Sequence, residues 1–220
     1  MKKGVCKMKY LVIIVLLIGF TFPMYAKAPY TEFKFGYIDP EAAKAGYLFG
    51  VNLGRMIDES LSWSFEFNYY QKVYKKVTTD YEIQLPSGIE PTGRSVETEY
   101  KTYIVPLFLK LNLENQLGNK GPFFLRGSAG LGWEMVWNKE YNYITQTQDT
   151  RFYNGFGWQA TAGLGLQISS SANIFVDGMY NGSKVKRNEK TNEDGLPSWE
   201  ELDISGFGIR AGVSIVGFGW

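Results

Sequence analysis

From Thr31 onward, apolar residues recur at every second position and the positions between them carry glycine or polar side chains. Period two requires an extended strand with two unlike faces. The pattern returns eight times. Residues 31–38 set Phe33, Phe35 and Tyr37 against Glu32, Lys34 and Gly36, and residues 46–55 set Tyr47, Phe49, Val51 and Leu53 against Leu48, Gly50, Asn52 and Gly54. Residues 61–70 place Leu61, Trp63, Phe65, Phe67 and Tyr69 opposite Ser62, Ser64, Glu66 and Asn68. Residues 156–168 place Phe156, Trp158, Ala160, Ala162, Leu164, Leu166 and Ile168 opposite Gly157, Gln159, Thr161, Gly163, Gly165 and Gln167.

The remaining four segments are less regular. In residues 100–113, Pro106 cannot donate to a ladder and implies a bulge or an unpaired neighbour. Residues 123–137 turn Leu125, Leu131, Trp133, Met135 and Trp137 outward and Arg126, Ser128, Gly130, Gly132 and Glu134 inward. Residues 173–180 are ambiguous, because Phe175 and Met179 share a face with Asp177. Residues 204–220 change phase near Val216, which suggests a bulge before the last aromatics.

The connections alternate in length. Residues 56–60, 114–121 and 169–172 are short, whereas 75–99, 138–154 and 181–202 read as long polar loops; 39–45 is the one short connection on the long-loop side. Tight turns at one end and long loops at the other are the arrangement of an eight-stranded antiparallel up-and-down transmembrane β-barrel, an all-β fold with its long side outside the cell.

Alternation by itself does not say which face looks inward. A soluble lipocalin-like barrel would turn the apolar face toward a ligand cavity; a membrane barrel would turn it toward lipid. The glycine-bearing face decides between them. Gly50, Gly54, Gly157, Gly163, Gly165, Gly206, Gly208 and Gly212 would weaken a wet exterior with no gain, but inside a narrow eight-strand lumen they make room. Trp63, Tyr103, Trp137, Trp158, Tyr180, Phe218 and Trp220, near the strand ends, fit membrane-interface girdles.

Both ends of the chain agree with that placement. Lys2, Lys3, Lys7 and Lys9 precede an apolar run over residues 11–22, and Ala26-Lys27-Ala28 matches a signal-peptidase site, so residues 1–28 read as a cleaved export signal and 29–220 as the barrel domain. The run is short of the ~20 residues a spanning helix needs. Cys6 precedes the run, whereas a lipid-modified cysteine would follow it. Cleavage removes five of the 23 basic residues and none of the 22 acidic ones, moving the net charge from +1 to −4. The mature chain has no nucleic-acid signature and offers about 190 residues, enough for one domain. At the other end, Ile215-Val216-Gly217-Phe218-Gly219-Trp220 closes on aromatics, as a strand destined for a bacterial outer membrane does.

The chain resembles the small outer-membrane β-barrel proteins of the OmpA, OmpX and OmpW type, often described as porin-like. The resemblance rests on Gly-Tyr-Leu-Phe-Gly-Val-Asn-Leu-Gly (46–54), Tyr-Ile-Val-Pro-Leu-Phe-Leu-Lys-Leu (103–111), Gly-Ser-Ala-Gly-Leu-Gly (127–132) and the terminal Phe-Gly-Trp (218–220). It implies residence in the outer membrane among its lipids, and recognition of the C-terminal strand by the barrel-assembly machinery. Val216, Phe218 and Trp220 fit the family's alternating terminal signal, and Ser214 departs from it.

With this register Glu32, Lys34, Glu66, Lys110, Arg126, Glu134, Asp177 and Arg210 all point into the lumen, four acids and four bases. Isolated charges there are costly, so mutual pairing is the expected solution. Counting up from the short turns sets Glu66, Lys110 and Arg126 at similar heights, with Asp177 and Arg210 on neighbouring strands. These pairs fill and rigidify the barrel, or, on the alternative reading, gate a narrow channel for small hydrophilic or amphipathic solutes. Eight strands leave no open channel, which favours the filler.

Function of a filled barrel falls to its loops. Lys184, Lys186, Arg187 and Lys190 followed by Glu193, Asp194, Glu200 and Glu201 make the last loop mixed in sign, and Tyr141, Tyr143, Phe152 and Tyr153 are either binding aromatics or an extension of the girdle. An extracellular ligand is one expectation, its identity unspecified. The chain lacks histidine, and its single cysteine lies in the export signal. Histidine bases, cysteine nucleophiles, disulfides and His or Cys metal sites are therefore excluded from the mature chain, and neither catalysis nor a cofactor is expected.

Overall fold

The computed structural model describes residues 28–82, 92–118, 121–187, 190–191 and 197–218. Alternation becomes architecture through eight long strands: β1 (Pro29–Pro40), β2 (Gly46–Met56), β3 (Leu61–Glu82), β4 (Thr92–Gln116), β5 (Phe123–Asn142), β6 (Thr147–Gln167), β7 (Ala172–Lys186) and, last in the chain, β11 (Gly206–Val216). Between β7 and β11 lie three short pieces, β8 (Lys190–Thr191), β9 (Pro197–Ser198) and β10 (Glu201–Asp203). Each long strand pairs antiparallel with the next, and β11 returns to β1 from Val216↔Tyr30 to Gly206↔Pro40, so the sheet closes on itself. Closure leaves no edge among the spanning strands, which hydrocarbon requires.

The apolar face is the outer one. Phe35, Leu109, Leu111 and Leu131 are each more than half exposed, whereas Glu32, Lys34, Glu66 and Lys110 are at most 2 % exposed. A soluble barrel with an apolar cavity is the reverse of this arrangement. On β7 the ambiguity resolves the same way: Phe175, Asp177 and Met179 all point inward, and Ile174 and Val176 face out.

Inward glycines match inward bulk. A Cβ at Gly132 would fall 2.6 Å from Cδ1 of Phe108, and one at Gly212 would fall 2.5 Å from Cζ of Phe175. Glycine is there because a large neighbour occupies its side-chain volume.

The segments 75–99 and 138–154, expected as long loops, are instead largely strand. The β3–β4 ladder continues to Glu82↔Thr92 with register shifts after Lys76 and Thr79, and β5–β6 pairs without interruption to Asn142↔Thr147. Between β5 and β6 only residues 143–146 turn, with Gln146 at φ 53°. Polar residues on both faces hide a strand from hydropathy, but both faces of a ribbon above the membrane are wet.

Pro106 produces no register shift. The β3–β4 ladder breaks between Phe67↔Leu107 and Tyr70↔Ile104 and resumes in the same register. The bulge expected near Val216 is absent as well: β11 keeps its register with β1 and stops, and Gly217, at φ 82°, donates its N–H to the Pro29 carbonyl at 2.8 Å. Both neighbouring strands end there, since β1 begins at Pro29 and β7 at Ala172. The phase change marks the end of the ladder.

Candidate functional site

Six inward side chains of alternating sign form a closed cycle across the lumen. Glu66 on β3 meets Lys34 of β1 at 2.5 Å; Lys34 also meets Glu32 at 2.8 Å. Glu32 continues to Arg126 of β5 at 2.9 Å, and Arg126 to Asp177 of β7 at 3.2 Å. Asp177 reaches Arg210 of β11 at 3.6 Å, and Arg210 returns to Glu66 at 2.8 Å. Lys110 of β4 hangs on the cycle, 3.2 Å from Glu66 and donating to Gln159 at 2.9 Å. At the rim, Glu114 lies 3.8 Å from Arg126. With it, four carboxylates face four cations.

Every bond in this cycle links side chains already turned inward by strand parity. Only the Arg210–Asp177 pair also sits directly opposite in the β7–β11 ladder. Glu32 and Lys34 are neighbours on the inner face of β1, and the other pairs reach between strands that are not adjacent, which a narrow barrel permits. Burial in a low dielectric makes each pair strong and each orphaned charge expensive. The guanidinium of Arg126 also lies 3.6 Å from the centre of the Phe175 ring.

Of the residues singled out from sequence, Glu66, Lys110, Asp177 and Arg210 lie in one network. Arg126 joins it through Glu32 and Asp177 rather than through Glu66. Glu134 stands apart: it accepts two hydrogen bonds from the Asn181 amide, at 3.0 and 3.2 Å, and has no cationic partner among the described residues. Sequence reasoning turned Glu32 and Lys34 inward without giving them their central place in the cycle. Asn52, Gln159 and Asn181, which finish the hydrogen bonding, share the inward parity that could have found them.

Below the cycle, toward the short turns, the lumen is neutral. Tyr30 and Ser62 hydroxyls lie 3.0 Å apart, and the Asn112 amide donates to Tyr30 at 3.0 Å and Ser64 at 2.9 Å. Above it the lumen turns apolar, with Ile38, Leu48, Tyr70, Ile104, Val136, Tyr153, Met179, Val185 and Ile204 in one cluster. A cavity of about 20 Å³ between the two zones, bordered by Asn68 and Glu134, has room for little more than one water molecule.

Outside, Trp63 faces lipid near the short turns, while Tyr103, Trp137, Trp158 and Tyr180 ring the other end. Trp137 packs on Phe152 at 5.1 Å between ring centres, and Tyr180 on Trp158 at 5.3 Å and Phe207 at 4.7 Å. Phe218 is exposed beyond the end of β11, and Trp220 lies outside the described residues. No cluster of three or more acidic, histidine or cysteine side chains suited to a metal occurs among the described residues.

This closed ring of eight strands, lipid-facing outside and charged within, coincides with a sequence match to the outer membrane protein beta-barrel domain over residues 12–215. The chain belongs to that family. No curated protein matches it. Among solved structures it is similar to the outer membrane protein OprG from Pseudomonas aeruginosa, at 12 % identity and a TM-score of 0.53, covering 89 % of this chain and 98 % of that one. It is also similar to a major outer membrane protein from Thermus thermophilus, at 11 % identity and a TM-score of 0.50, covering 86 % and 100 %. Identities this low show a shared fold. Family and fold together place the chain in the bacterial outer membrane.

Proposed function

We propose that the protein is a plugged, non-enzymatic outer-membrane barrel that acts at the cell surface through the β3–β4 ribbon, the β5–β6 hairpin and the connection from β7 to β11. The observation that carries this reading is the closed cycle of buried ion pairs, under an apolar cluster and a cavity of about 20 Å³. Passing a solute through it would require breaking several desolvated pairs at once. Loops held by a rigid scaffold are where binding residues usually lie, and the ribbon's length supplies the surface. The lack of histidine supports the non-enzymatic part. Export by a cleaved signal within residues 1–28, and recognition of the final strand by the assembly machinery, belong to the same reading.

Planar-bilayer recording of the purified barrel tests it. Silence is the expected result. A stable ohmic conductance that survives replacement of residues 75–99 by a short turn would put a narrow solute channel in its place.

A further inference from the structure

Just above the aromatic girdle on one side of the barrel, the outer surface collects cations that the fold does not need. Lys101 of β4 and Lys139 of β5 are direct cross-strand partners on the outward face. Like charges directly opposite each other destabilise a ladder. Glu99 is the nearest compensation, but it is divided between Lys101 at 2.7 Å and Lys75 at 3.2 Å. The neighbouring Glu140 is turned to Arg151, at 3.5 Å. Lys139 has no acidic partner among the described residues and rests over the Tyr103 ring, 5.8 Å from its centre. Three lysines thus share one carboxylate. Lys101 and Lys139 border a depression of about 470 Å³ lined also by Glu99, Glu140, Gln148 and the rings of Tyr103, Tyr141 and Tyr143, with Lys75 on the far side of Glu99.

The height of this patch identifies its occupant. Tyr103 pairs across the ladder with Trp137, whose ring packs on Phe152, so this level is the outer edge of the lipid-facing band. Lys101 and Lys139 lie two residues further out, about 5 Å along a tilted strand, where outer-leaflet head groups begin. A phosphate monoester carries about −1.5 to −2 charges and three acceptor oxygens, close to the excess of Lys75, Lys101 and Lys139 over Glu99 once Glu140 is set against Arg151. We propose that Lys101 and Lys139, flanked by Lys75 and the Tyr103 and Tyr141 rings, bind the head-group phosphate of a phosphorylated glycolipid in the outer leaflet. Such a site fixes the barrel's depth and the footing of its surface ribbon. It stands independently of whether the lumen conducts.

The test uses the folded full-length barrel in detergent micelles, offered bisphosphorylated lipid A or the same lipid A stripped of both phosphates, with retention read by native mass spectrometry. The expected result is a roughly tenfold preference for the phosphorylated form, since each lysine near an anionic surface contributes on the order of a kilocalorie per mole. Lys101→Gln with Lys139→Gln removes the preference. The lone change Lys139→Gln, at a residue with no acid to leave behind, reduces it and serves if the double variant folds poorly. Lys184→Gln, at an exposed lysine held by Asp203 in the last connection, leaves it unchanged. Equal retention of both lipids, an unaltered preference in the Lys139→Gln variant, or full competition by inorganic phosphate or phosphatidylglycerol would each overturn the proposal.

Discussion

Arg210 on β11 and Glu66 on β3 stand 144 positions apart in sequence, yet their side chains meet at 2.8 Å across the lumen. Glu66 also holds Lys34 and Lys110, so a single carboxylate is in contact with three cations drawn from three further strands. Glu66→Gln is expected to lower stability by at least the ~3–5 kcal/mol that follows loss of one partner of a buried pair. Arg126→Ala, which orphans Glu32 and Asp177 only in part because Lys34 and Arg210 remain, falls lower in the same range. Lys186→Ala, whose exposed pair with Glu201 is worth about 0–1 kcal/mol, shifts little. Thermal unfolding followed by the heat-modifiability gel orders the three; equal shifts would refute the inward register.

Glu134 offers the opposite expectation from the same side-chain type. Its partner is the Asn181 amide, and an amide oxygen can still accept that hydrogen bond. Glu134→Gln should therefore change the melting temperature far less than Glu66→Gln. A loss as large as that at Glu66 would mean that Glu134 is coupled to the ion-pair cycle.

The glycines of β5 divide by face: the inward Gly132 has a neighbour in its side-chain volume and the outward Gly127 does not. A Cβ at Gly132 would meet the Leu107 carbonyl and Phe108, whereas one at Gly127 would sit at an ordinary 3.6 Å from the Thr161 carbonyl. Gly132→Ala is expected to cost about 1–3 kcal/mol through overpacking, and Gly127→Ala little. Refolding yield in detergent, read as the fraction of heat-modifiable band, separates them.

Acid should loosen the surface ribbon before the barrel. The carboxylate of Glu97 lies below the usual range because Lys76, at 2.8 Å, and the Thr78 hydroxyl donate to it. Glu200 is lowered in the same way by the Tyr153 hydroxyl and Arg187. A group whose folded value is depressed stabilises above its unfolded value, about 4.3 for glutamate, and that contribution is lost as pH falls through the folded value. Amide exchange in the ribbon, around Thr78 and Glu97, should quicken as the pH falls below the ordinary glutamate range, while amides around Glu66 and Phe67 stay protected. Simultaneous loss of protection in both regions would contradict this.

Much of the fold was legible because a strand's two faces meet different media. Phe33, Phe35 and Tyr37 against Glu32, Lys34 and Gly36 is a local statement about lipid and lumen, and the glycines between bulky inward neighbours said which face was which. The ribbon above the membrane was not legible. Residues 75–78 and 95–97 carry polar side chains toward water on both sides, so their pairing leaves no hydropathic trace, and the ladder to Glu82↔Thr92 emerges only from the structure.

The charge cycle divides between the two levels. Sequence parity, with the glycines to say which face is inner, determined that Glu66, Lys110, Arg126 and Arg210 face inward, and left Asp177 ambiguous. Which acid meets which base was decided by closure of β11 onto β1 and by the stagger of the strands, which set heights across the lumen that counting along the chain does not reach. Hence Arg126 answers Glu32 and Asp177, Glu66 answers Arg210, and Glu134 is left to an amide. Strand periodicity acts between adjacent residues; pairing energies act between side chains that only the closed barrel brings within 4 Å.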